Sequence, residues 1–161
     1  MTPERRYLAA LLRNAHAMEG QAVTLVERQI NSLKQYSEIV TRLRSYLEEL
    51  IDNQSQFQQC LNQLGEDRFP LWDSAIKTTK NFPDFARLST TEDLLLKEVL
   101  ANNVAELVRA DSYRWLSEAA HVADEPEIAR ICDGIRARGW AMAEWMWEQL
   151  PAASRERLLG Q

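Results

Sequence analysis

Apolar side chains recur along this chain at steps of three and four over four long stretches, the spacing that places them on one face of an α-helix. The first stretch runs Leu8, Leu11, Leu12, Ala15, Met18, Ala22, Val26, Ile30, Leu33. Ahead of it, Thr2 supplies a cap, Pro3 suits the first helical position and Glu4 sits beside the positive end of the dipole. The second carries Val40, Leu43, Leu47, Leu50, Gln54, Phe57, Leu61 and Leu64 in heptad-like steps, with Gly65 as its stop. The third is Leu96, Leu100, Val104, Leu107, Val108, Asp111, Trp115 and Ala119, capped by Thr90 or Thr91 with Glu92 and Asp93 in its first turn. The fourth opens at Asp124 and carries Ile128, Ile131, Cys132, Ile135, Arg138, Met142, Trp145, Met146 and Gln149. Pro151 closes it, and Ser154 to Leu159 form a short tail helix.

Residues 65–90 keep no period and hold Pro70, Trp72, Phe82, Pro83 and Phe85. Such a segment reads as a long crossover lying over the bundle. A crossover of that length lets the second and third helices run parallel, the ferritin-like connection. The pattern therefore predicts an all-α protein, an antiparallel ferritin-like four-helix bundle with helices at about 3–33, 37–64, 91–122 and 125–150. It forms one domain over 1–161 and ends in a short C-terminal helix.

Composition narrows the function classes. A formal charge of −5 with scattered Lys and Arg disfavours nucleic acid and anionic membrane as partners. No hydrophobic signal core follows the N-terminus, and no run approaches the roughly 18 apolar residues of a membrane span. The two cysteines, Cys60 and Cys132, stand far apart in no ligand-like spacing and read as reduced thiols of a cytoplasmic protein. No nucleophile elbow, phosphate loop or zinc motif is present.

Chemistry in a bundle is built where polar side chains project inward from facing helices. Glu19 falls on the first stripe, where it either needs a metal, a cation or a donated hydrogen bond to offset its desolvation or snorkels to water from the stripe edge. Asp111 and Arg138 fall on the third and fourth stripes. Arg138 or Arg109 is the candidate to neutralise Glu19 and Asp111 in a core salt bridge; the alternative sends the arginine heads to solvent over apolar stems. His16 and His121 read as structural. Trp140 and Trp147 lie beyond what one core stripe on the fourth helix needs. They are candidates for an interface, or for burial under the crossover or tail.

The stretch Asn14-Ala15-His16-Ala17-Met18-Glu19-Gly20-Gln21-Ala22 resembles the first helix of the YciE/YciF family of bacterial ferritin-like proteins. Similar stretches follow at Tyr46-Leu47-Glu48-Glu49, Cys60-Leu61-Asn62-Gln63-Leu64-Gly65, Asp111-Ser112-Tyr113, Glu127-Ile128-Ala129-Arg130-Ile131-Cys132 and Ala141-Met142-Ala143-Glu144-Trp145. The resemblance implies a stress-associated bundle, commonly dimeric, with carboxylates like those of a di-iron site. Carried over, it assigns Glu19 and Glu48 as ligands, then finds Ile51 where a histidine is expected. It pairs Glu106 with Arg109 where two acids are expected, and meets Gly139 and Trp140 where the last acids would fall.

The expectation is therefore a stress-associated bundle without a catalytic site or cofactor, acting as a homodimer or through a protein partner. The alternative is a metal-binding oxidoreductase or ferroxidase holding iron on Glu19, Glu48, Glu106 and Asp111. Gly139 is expected to leave room beside it for Arg138 or Trp140.

Overall fold

The computed structural model describes residues 1–66 and 93–159. Its elements are α1 (Pro3–Ser32), α2 (Ser37–Gln63), α3 (Leu94–Val122), α4 (Pro126–Glu148) and α5 (Leu150–Leu159). The first four pack as a bundle, and no strand occurs among the described residues.

Local chemistry sets where each helix begins and ends. Thr2 Oγ1 accepts from the Arg5 backbone N–H at 3.3 Å, satisfying a donor the first turn leaves over. Helix α3 is capped by Asp93, whose Oδ1 accepts from the Leu96 N–H at 3.0 Å. The cap thus sits two to three residues later than the expected Thr90 or Thr91, which lie outside the described residues. Gly65 adopts φ +83°, a left-handed conformation in which glycine has no Cβ to clash, and it ends α2. Helix α4 starts at Pro126 rather than at Asp124, which takes φ +57° in the turn before it. Pro151 does not stop the chain's helical course. It occupies the first turn of α5, where its missing N–H is no loss.

Contacts along the helices fix their directions. Trp115, Arg109 and Glu98 of α3 meet Tyr7, Glu19 and Gln29 of α1 respectively, so α1 and α3 are antiparallel. On α2, Tyr46 and Phe57 meet Glu106 and Tyr113, both rising along the chain, so α2 and α3 are parallel. The end of α2 and the start of α3 therefore lie at opposite ends of the bundle. The expected crossover with Trp72, Phe82 and Phe85 falls largely within 67–92, outside the described residues.

Two apolar clusters fill the interior. One gathers Leu8, Leu12, Phe57, Tyr113, Leu116, Cys132 and Ile135, with Phe57 and Tyr113 tilted at 58° and 5.3 Å apart. The other gathers Val26, Leu43, Leu50, Val99, Met142 and Met146. Both cysteines are buried free thiols, and burial pushes the Cys60 value up to about 11.

The stripes on α1 and α2 face inward as their spacing predicts, and that on α4 does so apart from Arg138. Helix α3 corrects the expectation. Its buried face is Leu95, Val99, Asn102, Glu106, Arg109, Tyr113 and Leu116, whereas Leu107, Val108, Asp111 and Trp115 are exposed. This helix is apolar on two sides, so the more hydrophobic side misidentified the core face.

Candidate functional site

A polar layer separates the two apolar clusters at mid-bundle. Helix α1 contributes Glu19, α2 contributes Tyr46 and Asn53, and α3 contributes Glu106, Arg109 and Tyr113. All six are buried, and Glu19 has no exposed surface. Their positions follow from helix periodicity. Glu106, Arg109 and Tyr113 succeed one another by three and four, and Tyr46, Leu50 and Asn53 by four and three, so each set lines one face.

Arg109 is the hub. Its Nε and Nη2 donate to Glu19 Oε1 at 3.0 and 2.5 Å. Its Nη1 donates to the Tyr46 hydroxyl at 2.8 Å and to Glu106 Oε2. One guanidinium thus joins carboxylates from two facing helices, and its carbon lies 5.6 Å from the centre of the Tyr113 ring. The remaining oxygens are also satisfied. Tyr46 donates to Glu106 Oε1, Tyr113 donates to Glu19 Oε1, and Asn53 Nδ2 donates to Glu19 Oε2 at 3.1 Å. Arg138 stands at the edge with its body exposed, and its Nη2 donates to Asn53 Oδ1 at 2.8 Å.

Protonation follows from burial and charge. Burial pushes the Glu106 carboxyl up; Arg109 and the Tyr46 hydrogen bond pull it down, while Glu19 adds to the rise, and the net shift is upward. Burial raises both tyrosines well above their ordinary value, so they stay protonated and serve as donors. For Arg109 burial acts to lower the value, but Glu106 and Glu19 beside it hold it well above normal. The centre is thus a fixed cation between two acids. It contains no exposed nucleophile and no base open to a substrate.

Gly139 on α4 makes this packing possible. A Cβ built there would fall well inside contact distance of Glu106 Oε2 and 3.6 Å from Arg109 Nη1. The space expected for Arg138 or Trp140 is taken instead by the Glu106 carboxylate.

Of the residues singled out from the sequence, Glu19, Arg109 and Glu106 meet in one cluster, and Arg138 touches its edge through Asn53. Glu48 and Asp111 do not join it. Both are exposed, because Tyr46 and Asn53 take the inward positions on α2, and Glu106, Arg109 and Tyr113 take them on α3. Ile51, placed by resemblance where a ligand was expected, is exposed as well. His16 is half-buried, lowered chiefly by burial and raised by Glu19, and its carbonyl accepts from Gln54 Nε2 at 3.4 Å. His121, Trp140 and Trp147 are exposed. The sequence reading missed Tyr46, Asn53 and Tyr113 as members of the site. The signal was present: Tyr46 and Asn53 flank Leu50 by four and three, and Tyr113 lies four after Arg109.

A family model described as "Domain of unknown function (DUF892)" matches residues 3–159. A crystal structure of a protein from Xanthomonas campestris pv. campestris is similar, with a TM-score of 0.78 at 27% identity, covering 98% of this chain and 97% of the other.

Three measurements probe the polar layer. Glu19→Gln leaves Arg109 buried beside a neutral amide, and chemical denaturation should register a loss of about 3–5 kcal/mol. Gly139→Ala gains about 1 kcal/mol of helix propensity, yet it should be net destabilising by about 1–3 kcal/mol because the pinned Glu106 cannot retreat. Gly134→Ala meets only Arg138 Nη1 at 3.5 Å and should be neutral or stabilising, which makes it the control. The third concerns pH. Because the folded-state value of Glu106 is raised, its contribution is most favourable below the unfolded value near 4.5 and is lost as pH rises through the folded value. The stability of the wild type relative to Glu106→Gln should therefore fall as pH increases from 4.5 upward; a difference that stays flat or grows would refute the assignment.

Proposed function

This chain belongs to the DUF892 family, and from that premise we propose that it is a ferritin-like bundle in which a side-chain cation has taken over the place of di-iron chemistry. On this reading it is not a ferroxidase. It works by association, with a second copy or with a partner protein, in the stress-associated setting that the YciE/YciF resemblance implies and in the cytoplasm that its reduced cysteines favour.

One observation carries the proposal. Arg109 lies between Glu19 and Glu106 and donates to both. A pair of irons needs several carboxylates that are free to ligate and that together neutralise the metals. Among the described residues two acids converge, and both already share one guanidinium and are hydrogen-bonded by groups of the same chain. Tyr46, Asn53 and Tyr113 fill the other directions from which ligands would come. This donor set does not fit a di-iron centre, so no redox step is assigned to it.

The alternative, iron held on Glu19, Glu48, Glu106 and Asp111, is weakened by the same geometry. Glu48 and Asp111 are exposed on other faces of their helices. Using them would require α2 and α3 to rotate and bury different stripes.

Anaerobic titration of the full chain with ferrous iron, followed by exposure to oxygen and metal analysis, is the direct check. The expected outcome is no stoichiometric binding and oxygen uptake no faster than that of iron in buffer. Tight binding of two irons per chain with accelerated oxygen uptake would overturn the proposal.

A further inference from the structure

The second apolar side of α3 has no partner within the described bundle. Val108, Trp115 and Val122 stand seven residues apart on it and are all exposed, with Trp115 at 61% and Val122 at 75%. Beside it, α1 presents Tyr7, Leu11, Asn14 and Met18, again in steps of four, three and four. Between the two antiparallel helices lie two adjoining hollows, of about 500 Å³ and about 200 Å³. Trp115 lines both, and its Nε1 donates to the Tyr7 hydroxyl at 3.0 Å, which fixes the ring at their junction.

We propose that this α1–α3 groove docks an amphipathic helix of a partner protein, with apolar residues at three- and four-residue steps and Lys or Arg along their flanks. The inference rests on the reading that the protein acts through its surface, and it names the surface and the kind of partner. Two walls of heptad-spaced side chains accept a helix laid along them, as in helix-in-groove recognition. The charge decides the occupant. The residues lining the two hollows include three exposed carboxylates, Glu4, Asp111 and Glu118, and no Lys, Arg or His. A second copy of this chain would bring the same acidic rim against itself, which like-charge repulsion opposes. A basic-flanked helix complements it.

The test uses the full chain and a labelled synthetic peptide of about 18 residues, long enough for roughly five helical turns. Its leucines are spaced by three and four and flanked by lysines; a second peptide carries glutamates in place of the lysines. Fluorescence anisotropy should show the lysine peptide binding at least about tenfold more tightly than the glutamate peptide, with affinity falling as salt is added. Trp115→Ala should weaken it about tenfold or more, while Ile51→Ala, exposed on α2 and outside the lining of either hollow, leaves it unchanged. Asp111→Lys reverses part of the rim and should shift preference toward the glutamate peptide. This second variant reads the same interaction if Trp115→Ala fails to fold by circular dichroism. Equal binding of both peptides, or affinity untouched by Trp115→Ala and Asp111→Lys, would overturn the inference. So would a dimer, seen by light scattering, that Trp115→Ala dissociates, since that result gives the groove to a second copy. Iron binding in the earlier titration leaves this result standing, and a failure of peptide binding leaves the metal-free reading standing.

Discussion

An arginine cannot be deprotonated inside a protein under ordinary conditions, so Arg109 must be matched wherever it is buried. Its neutralisation by Glu19 and Glu106 sets the terms for the middle of the bundle. The pair fixes the rotation of α1 and α3 about their axes, since turning either helix would strand a charge in an apolar interior. It also requires further hydrogen-bond donors, because two carboxylates offer more acceptor sites than one guanidinium can fill. Tyr46, Tyr113 and Asn53 meet that requirement. The tyrosines also carry ring surface into the flanking apolar clusters, Tyr113 into one and Tyr46 into the other, so the polar layer is continuous with the core.

This arrangement explains why the helices settle in one register. Apolar faces alone tolerate sliding by a turn, since a Leu can usually find another Leu. A buried charge network spanning α1, α2 and α3 cannot slide without losing its partners. Stability from such a network is modest in net terms, because desolvation opposes it. Its stronger effect is to make every alternative packing unfavourable.

Much of the architecture was legible from the sequence because the periodicity on α1, α2 and α4 is strong and because Thr2 and Gly65 mark a helix start and a helix end by their chemistry. The place of Glu19 on the buried stripe was legible as well, from its seven-residue steps to Leu12 and Val26, although those steps alone did not separate the buried face from its edge. Helix α3 was not. Its outer side carries Leu107, Val108 and Trp115, while its inner side carries Asn102, Glu106 and Arg109, so hydrophobicity ranks the two sides in the wrong order. Polar residues that satisfy one another are invisible to a pattern that counts only apolar ones. Asp111 was drawn into the site for this reason, and Tyr113, two residues away, was left out. Glu48 failed differently: a motif match placed it, and the neighbouring Tyr46 and Asn53 take the inward face.

The missing side chain at Gly139 links positions that are far apart in the chain. A residue with a Cβ there meets Glu106; a shortened residue at 109 leaves two acids facing each other; a neutral residue at 19 leaves the arginine with one partner fewer. Each change is unfavourable while the others remain as they are. The four positions therefore vary together or hardly at all, and an ancestral or related sequence that differs at one of them is expected to differ at the rest. If the interior is inherited as a single character, aligned family members should fall into a few discrete combinations at 19, 106, 109 and 139 rather than a continuum.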